Sequence, residues 1–545
     1  MNLCLTGNTF RPAGKYDLVT GYNVAASDLL DRFIKYSKYD LYCLYEPLDE
    51  APLSKLVNEA KNLNLVSEYD LLFKGINTLP QIDVFHSIKE DALPVLTLRE
   101  KQAKDVPVTF TMHCLAEQHL LMDFFYPMLF LPYKPYDAIV CTSKAVIKTI
   151  NNMFERMEEM VNRSLSLENP LKQKIRLEHV PLGVDTEYFR PLDKSYCRKV
   201  FGFHDDEFII LWFGRFSNLF KADLFPLLQV FQRLLSVNSE KKLRLVLAGS
   251  QEDGIDYAGK IYSEAVHMGI GEHVRILFNN EIENRVELYC ACDIFTSPID
   301  NVQETFGLTP IEAMACGVPQ VVSDWDGYRD TVVNGKTGYL IKTAWANCMD
   351  DVAAFDFLPS NVGRRQMLQR HLQVRSSVVD QDDYFEKINY LINNPNVLHA
   401  FGEASRKRAV SAFSLRNTIV KTEDLWDELK EMALYYNSDF SKKIPTLDYC
   451  RDFSNYPTNM IEGNTVFSAT EYGKTMPVND VIQYRMFHEY IEEAVLPKQI
   501  LSYILEGETC MDAIIRAFPE YTSSQIKREI MYLYKYGMIR PKKSI

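Results

Sequence analysis

Short apolar runs alternate with longer stretches of helical spacing along the first 190 residues. The runs fall at 3–6, 40–45, 83–86, 106–112, 137–141 and 175–180, and strands interleaved with helices predict a parallel sheet. The pattern restarts after Pro191, with runs at 208–213, 243–248, 274–278, 293–297 and 318–323, and is expected to turn helical after Gly338. Asp380, Asp382 and Asp383 suit a helix start, where the dipole favours negative charge. Another helix is expected from Ser414 to about Leu434. Residues 437–457 are polar and turn-rich, a linker or a strap. Beyond them, helices are predicted at 511–518 and 523–536. Thr522 and Gln525 form a capping box, Ile526, Ile530 and Leu533 an apolar stripe, Gly537 a stop, and 538–541 a wing-like strand. The expected divisions are 1–190, 191–436, the linker 437–457 and a helical module 458–545.

The stretch from Ser297 to Gly317 holds the densest chemistry. Glu304 and Glu312 stand eight residues apart around Phe306-Gly307-Leu308. The run before it ends at Pro298, Thr309 can N-cap the helix that follows, Pro310 suits its first turn, and Gly317 can end it. A strand, loop and helix N-terminus in that order bring backbone N–H groups to the carboxyl edge of a parallel sheet, where anionic ligands bind. The plainer alternative for Glu312 is a capping box with Thr309. Upstream, Arg215 and Lys221 lie at a strand-to-helix turn, with Lys221 expected at the helix start. Two cations there suit a diphosphate whose negative charge grows as a bond to it breaks. His113 ends the run 108–113, on the carboxyl side of a strand, and a histidine titrating near neutrality suits polarising a group or relaying a proton. His86 is a weaker second candidate. Gly14, in the loop before a helix expected at 18–34, can let backbone approach a ligand closely.

The string E-x7-E around Phe-Gly-Leu, continuing E-A-M-A-C-G-V-P, resembles the signature of GT-B glycosyltransferases of family 4. Val180-Pro181-Leu182-Gly183-Val184-Asp185 resembles the segment that closes the first domain in that family, and the helix after Ser414 its closing helix, which crosses back onto the first domain. The resemblance implies an α/β protein of GT-B type, two Rossmann-like domains facing a cleft, with the 458–545 module as an appendage that loosely resembles a winged helix. It implies retaining transfer of a sugar from a nucleoside-diphosphate sugar, a co-substrate rather than a cofactor. Glu304 would hold the sugar hydroxyls and Glu312 the ribose, while Arg215 and Lys221 hold the diphosphate and His113 lines the sugar pocket. The Gly14 loop would face the donor phosphates or the acceptor. Two departures stand out: the loop inside GRFSNLFKAD, and Asn279-Asn280 where the family usually has a glycine. Asp324-Trp325-Asp326 spells the metal-diphosphate motif of the other large glycosyltransferase fold, but its place after a strand is one GT-B relatives also occupy, so no metal is expected.

Composition narrows the alternatives. The chain has 545 residues, 47% hydrophobic and 24% charged, which is the balance of a globular enzyme of several domains. A net charge of −13 opposes general attraction to nucleic acid or anionic lipid. Acids upstream of the basic tail also disfavour DNA binding by the module. Residues 1–7 read as a strand, not a signal peptide. No apolar run reaches the ~18 residues of a spanning helix; residues 115–131 are expected to be a core helix, or else a lip for a lipid or aromatic acceptor. Eleven scattered cysteines fit a reducing compartment, so a cytoplasmic protein is expected, with peripheral membrane contact left open. The acceptor, whether glycan, lipid, small molecule or peptide, is not legible. A non-catalytic GT-B scaffold whose C-terminal module docks a partner is the rival reading, and hydrolysis or epimerisation of the nucleotide sugar a third.

Overall fold

The computed structural model describes residues 1–6, 30, 32–45, 60, 62–68, 71, 75–88, 92–116, 120–251, 256–282, 284–346, 348, 362–440, 444, 448–478 and 495–542. The chain forms two compact units, residues 1–444 and 445–545.

The first unit is built on two parallel sheets. One contains β1 (Asn2–Thr6), β2 (Asp40–Tyr45), β3 (Leu63–Ser67), β4 (Val84–Ser87), β5 (Val108–Met112), β6 (Ala138–Cys141) and β7 (Arg176–His179), in the order β3-β2-β1-β4-β5-β6-β7. The other contains β8 (Glu207–Phe213), β9 (Lys242–Gly249), β10 (Val274–Phe278), β11 (Ile294–Ser297), β12 (Gln320–Ser323) and β13 (Gly338–Ile341), in the order β10-β9-β8-β11-β12-β13. Both are doubly wound, and the strand order reverses between β1 and β4 and between β8 and β11. Ligands in such sheets bind outside the carboxyl ends of the strands at these reversals. β4, β5, β6, β11 and β12 are buried along their whole length, which explains their unbroken apolar runs.

Three expectations need correction. β3 was not foreseen, because Leu-Asn-Leu-Val-Ser is a half-exposed edge strand with little apolar signal. After Gly338 the chain is not yet helical. β13 is followed by an antiparallel pair, β14 (Thr343–Trp345) with β15 (Ser377–Val379), and runs of three or four residues are too short for a period to distinguish strand from helix. Residues 115–131 do not form one continuous α-helix. They include a π-helical turn at Leu121–Phe125 and an α-helical one at Tyr126–Met128. Leu115, Leu120, Phe124, Phe125 and Met128 are buried there, while Met122 and Phe130 are exposed. Most of the helix expected at 18–34 lies outside the described residues.

The two sheets are joined where Gly183-Val184 meets Phe413-Ser414. The Val184 N–H donates to the Phe413 carbonyl (2.8 Å) and the Leu415 N–H to the Val184 carbonyl (3.1 Å). Ser414 caps the helix Leu415–Ala433 by accepting from the Asn417 N–H, and that helix returns to the first sheet, as expected. Its Trp426 is fully buried, stacks on Phe33 (5.4 Å between centroids) and donates its indole N–H to Thr109 Oγ1 (3.0 Å). The strap beyond it also belongs to this unit: the Ser438 N–H donates to Asp105 and the Ile444 N–H to Glu100, and Ile444 is buried.

The second unit packs the helices Val495–Glu506, Met511–Ala517 and Ser523–Lys535 against a small antiparallel sheet. Its strands are β16 (Val466–Ala469), β17 (Thr509–Cys510) and β18 (Ile539–Pro541), with β16 in the middle. The Thr522–Gln525 capping box is present, and Ile526, Ile530 and Leu533 are fully buried. Gly537, at φ +71°, closes the last helix with paired bonds from its own N–H to Tyr534 and from the Met538 N–H to Leu533.

Candidate active site

At the β8/β11 reversal the chain leaves β11 at Ser297, runs through the loop 298–307 and enters the helix Leu308–Ala315. Gly307 makes that entry possible. Its φ is +89°, and a Cβ there would run into the Tyr328 ring. The helix therefore starts one residue before Thr309, with Gly307 as N-cap and no side-chain cap bond. Thr309 is therefore not the N-cap expected of it, and the alternative Thr309–Glu312 capping box does not form. Glu312 is buried one turn further in, where Tyr289 donates its hydroxyl to one carboxylate oxygen (2.7 Å) and Arg285 pairs with the other (3.2 Å). The helix ends as expected at Gly317 (φ +80°), with bonds from the Gly317 N–H to Met314 and from the Val318 N–H to Ala313.

β8 delivers Gly214 and Arg215 to the same edge. Gly249 ends β9 at φ +142°, and a Cβ there would meet the Gly214 carbonyl, so the two strand ends lie close together. Lys221 sits in a turn, its N–H donating to Ser217 (3.0 Å), and the following helix begins only at Phe225; the expected helix-start position is corrected accordingly. Its ammonium group reaches Glu304 across the sheet reversal, 2.9 Å from a carboxylate oxygen. Asn301 holds this arrangement by donating to the Lys221 carbonyl and accepting from the Gln303 N–H, while its own carbonyl accepts the Trp325 indole N–H (2.8 Å). Arg215 lies with its guanidinium 5.2 Å from the centroid of Phe220.

From the first sheet, β5 brings His113 to Glu304 through the backbone. The His113 carbonyl accepts from Thr305 Oγ1 (2.8 Å), and the Cys114 thiol bonds Gln303 (2.7 Å). The two residues flanking Glu304 thus grip the loop that carries the histidine. Burial, aided by the positive charge of Arg32, lowers the His113 pKa to about 4. The expectation of near-neutral titration is therefore corrected. His113 is neutral at physiological pH, and can donate or accept a hydrogen bond without carrying charge. His86 is packed away, with both ring nitrogens on Thr109 and Thr111 and its pKa pushed down to about 3, mainly by burial.

Phe306 is buried edge-on to Phe413, and Leu308 packs on the core of the second sheet, so their side chains fix the loop. Gly14 lies outside the described residues. The structure therefore groups His113, Glu304, Lys221, Arg215 and Gly307, and sets Glu312 deeper, beside Tyr289.

Sequence reasoning missed Arg285 and Tyr289, and named Asp326 only as part of the D-x-D string. Burial, reinforced by the Glu304 charge, raises the Asp326 pKa to about 7, and Asp326 accepts from Ser143 (3.2 Å), which caps the helix Lys144–Leu165 after β6. Asp324 instead pairs with Arg329 (2.6 Å), so the two acids of the D-x-D string face different partners. Arg285 and Tyr289, four apart in the helix Arg285–Ala291, share one face; their spacing is visible in the sequence, but their shared target, Glu312, is not. Among the described residues no group of three or more His, Cys, Asp or Glu side chains could hold a metal ion.

Residues 193–358 match the family model described as Glycosyl transferases group 1. Among curated proteins, a D-inositol 3-phosphate glycosyltransferase of Stackebrandtia nassauensis is 32% identical over 238 residues, 42% of this chain and 49% of that one. A protein of the same name from Rhodococcus jostii is 29% identical over 44% of this chain and 53% of its own. The chain thus spans about half the length of the curated relatives it matches. Among solved structures, Anabaena HepE in complex with UDP aligns over 78% of this chain and 100% of its own, at 14% identity and a TM-score of 0.52. A glycosyltransferase from Rickettsia africae aligns over 78% and 98%, at 17% identity and a TM-score of 0.54. The first unit therefore has the GT-B fold of glycosyltransferases, two Rossmann-like domains with the group 1 match in the second.

Proposed function

We propose that this chain is a retaining glycosyltransferase of family 4 that moves a sugar from a nucleoside-diphosphate sugar to an acceptor. The observation that carries the reading is the Lys221–Glu304 pair at the β8/β11 reversal, inside the stretch that matches the group 1 model. Lys221 and Arg215 would take the negative charge that develops on the β-phosphate as the sugar leaves, an electrostatic role worth several kcal/mol in a site shielded from water. Glu304 would then exchange its ammonium partner for sugar hydroxyls. Glu312, oriented by Arg285 and Tyr289, would accept from the ribose. Neutral His113 would hydrogen-bond the sugar from the other domain, beside the Gly14 loop. Closure of the two domains over the donor would favour transfer over hydrolysis by excluding water.

Uridine diphosphate is the donor base to try first, because HepE was solved with UDP. The inositol phosphate named for the curated relatives makes a phosphorylated polyol one acceptor to include beside glycans and lipids. We read transfer as metal-independent, with the two cations in place of a metal, in a protein of the cytoplasm. No helix among the described residues is long and apolar enough to cross a membrane. The second unit we read as winged-helix-like, serving a partner or acceptor.

The test is a thermal-shift panel of UDP, GDP, ADP and dTDP and their common sugars. A ligand present at 100 times its dissociation constant adds about 2.7 kcal/mol of stability, enough to move the melting temperature by a few degrees. If none of them moves it, the donor-site reading is wrong.

A further inference from the structure

The turn that follows β12 reaches from the second sheet to the first. It bends at Asp326, whose φ is +38°, and runs into the short helix Tyr328–Thr331. A Cβ on Gly327 would run into Phe306 Cα and the Thr305 carbonyl, so the turn is packed backbone to backbone on the loop that carries Glu304. Arg408, from the helix Pro395–Phe413, holds its other end by donating to the carbonyls of Asp330 (2.6 Å) and Thr331 (2.7 Å). The same guanidinium lies 5.3 Å from the centroid of Phe413, whose carbonyl accepts from the Val184 N–H where the two sheets are joined.

This turn presents two carboxyl groups to the first sheet, and both land at the start of the helix Lys144–Leu165. The first N–H groups of a helix have no partner within it and form the positive end of its dipole. Ser143 satisfies one of them by accepting from the Val146 N–H, and donates its hydroxyl to Asp326 (3.2 Å). The Lys144 N–H donates to the Asp330 carboxylate (2.6 Å), and His179 Nε2, at the end of β7, lies 3.9 Å from the same oxygen. Burial lowers the His179 pKa and leaves the ring neutral at physiological pH, so Asp330 is held by the helix N-terminus and not by an imidazolium.

A carboxylate on a helix N-terminal N–H gains from its own charge and from the dipole. Water can take both partners if the sheets part, so the contact biases the angle between them without locking it. We propose that Asp330 and Asp326 are a latch beside the hinge, holding the two Rossmann-like domains closed by docking on the N-terminus of the helix Lys144–Leu165. Because the turn is packed on Thr305 and Phe306, the latch also ties that angle to the placement of Glu304.

The experiment measures, by electron paramagnetic resonance, the distance distribution between spin labels attached through unnatural amino acids at exposed Met160 and Glu240, one in each domain. It uses the full chain without nucleotide, so its outcome is independent of the donor-site reading. Wild type is expected to show one main population at the separation in the structure. Asp330→Ala should move the ratio of closed to open about tenfold toward a longer population, the loss of one charge-assisted hydrogen bond. Asp330→Asn, which keeps an acceptor but not the charge, should fall between the two. Asp326→Gly, which suits the positive φ but cannot bond Ser143, should also lengthen the distances. Asp324→Ala is the control, because that carboxylate pairs with Arg329 in its own domain (2.6 Å), and it should match wild type. Melting temperatures are compared first; if Asp330→Ala does not fold, Asp330→Asn decides. A wild-type distribution in the Asp330 variant, an equal change in Asp324→Ala, or a wild type already spread over both populations would overturn the latch and leave the turn as packing.

Discussion

Asp326 sits beside Glu304 with its pKa raised to about 7, chiefly by burial. Between its ordinary value of 3.8 and about 7 the folded chain holds a proton there that the unfolded chain releases. Its contribution to stability is full below that window and is lost as pH rises through it. Asp300, raised to about 7 by burial and then by Asp223, acts in the same direction. His113 and His86 act in the opposite one. Their depressed values mean that only the unfolded chain takes up protons just below 6.5, so acidification costs stability there. The difference between variants isolates one group. Asp326→Asn is expected to flatten the fall in urea-unfolding stability between pH 5 and pH 8 and to exceed wild type at pH 8; parallel pH curves for the two proteins would show that Asp326 is ionised throughout. Glu312→Gln is expected to fold normally, because Tyr289 still has an acceptor and the partly exposed Arg285 can turn to water, but to bind donor more weakly. Unchanged donor affinity would make Glu312 purely structural. Glu304, Glu312, Arg215 and Lys221 were legible because their chemistry rides on local spacing around a turn. Arg285 and Tyr289 were not, and Asp326 was visible only as part of the D-x-D string, because what matters about them is which distant loop they face.

The helix entry beside Glu304 depends on one residue, Gly307. Gly307→Ala puts a Cβ against the Tyr328 ring at a φ that L residues avoid. It is expected to cost about 2 kcal/mol or more and to displace the backbone beside Glu304, read as a lower urea midpoint together with weaker nucleotide binding. A wild-type midpoint would mean that the loop has room the structure does not show. The strands buried on both faces were readable as continuous apolar runs, and the capped ends at Ser414, Gly317 and Thr522 as residue types with one structural use each. β3 and the β14–β15 pair were hidden for the opposite reason: they are short, partly exposed, and paired by partners far away in sequence. The capping box at Thr309 failed although its residues were right. Gly307 offered the chain an earlier turn into the helix, and Arg285 and the buried Tyr289 offered the Glu312 carboxylate stronger partners than backbone N–H groups.

Across the whole molecule, every residue assigned to the donor lies in the unit 1–444, and the unit 445–545 has its own core of Phe467, Ile500, Ile514, Ile526 and Ile530. Removing residues 445–545 is expected to leave nucleotide binding within about twofold of wild type while reducing use of the natural acceptor or partner, a module working by tethering. Loss of nucleotide binding on truncation would make the second unit part of the enzyme's core. Turnover is also expected to survive a chelator; loss in EDTA that Mn²⁺ or Mg²⁺ restores would return Asp324 and Asp326 to consideration as ligands. The central claim, that Glu304 and Lys221 form the working end of a sugar-donor site, is tested most directly by nucleoside-diphosphate release from a panel of nucleotide sugars with mixed acceptors, comparing wild type with Glu304→Gln and Lys221→Ala. Wild type should release the diphosphate from at least one donor and form a glycoside of unchanged anomeric configuration, with both variants slower by about 10² or more. Release at wild-type rate by either variant would contradict the account.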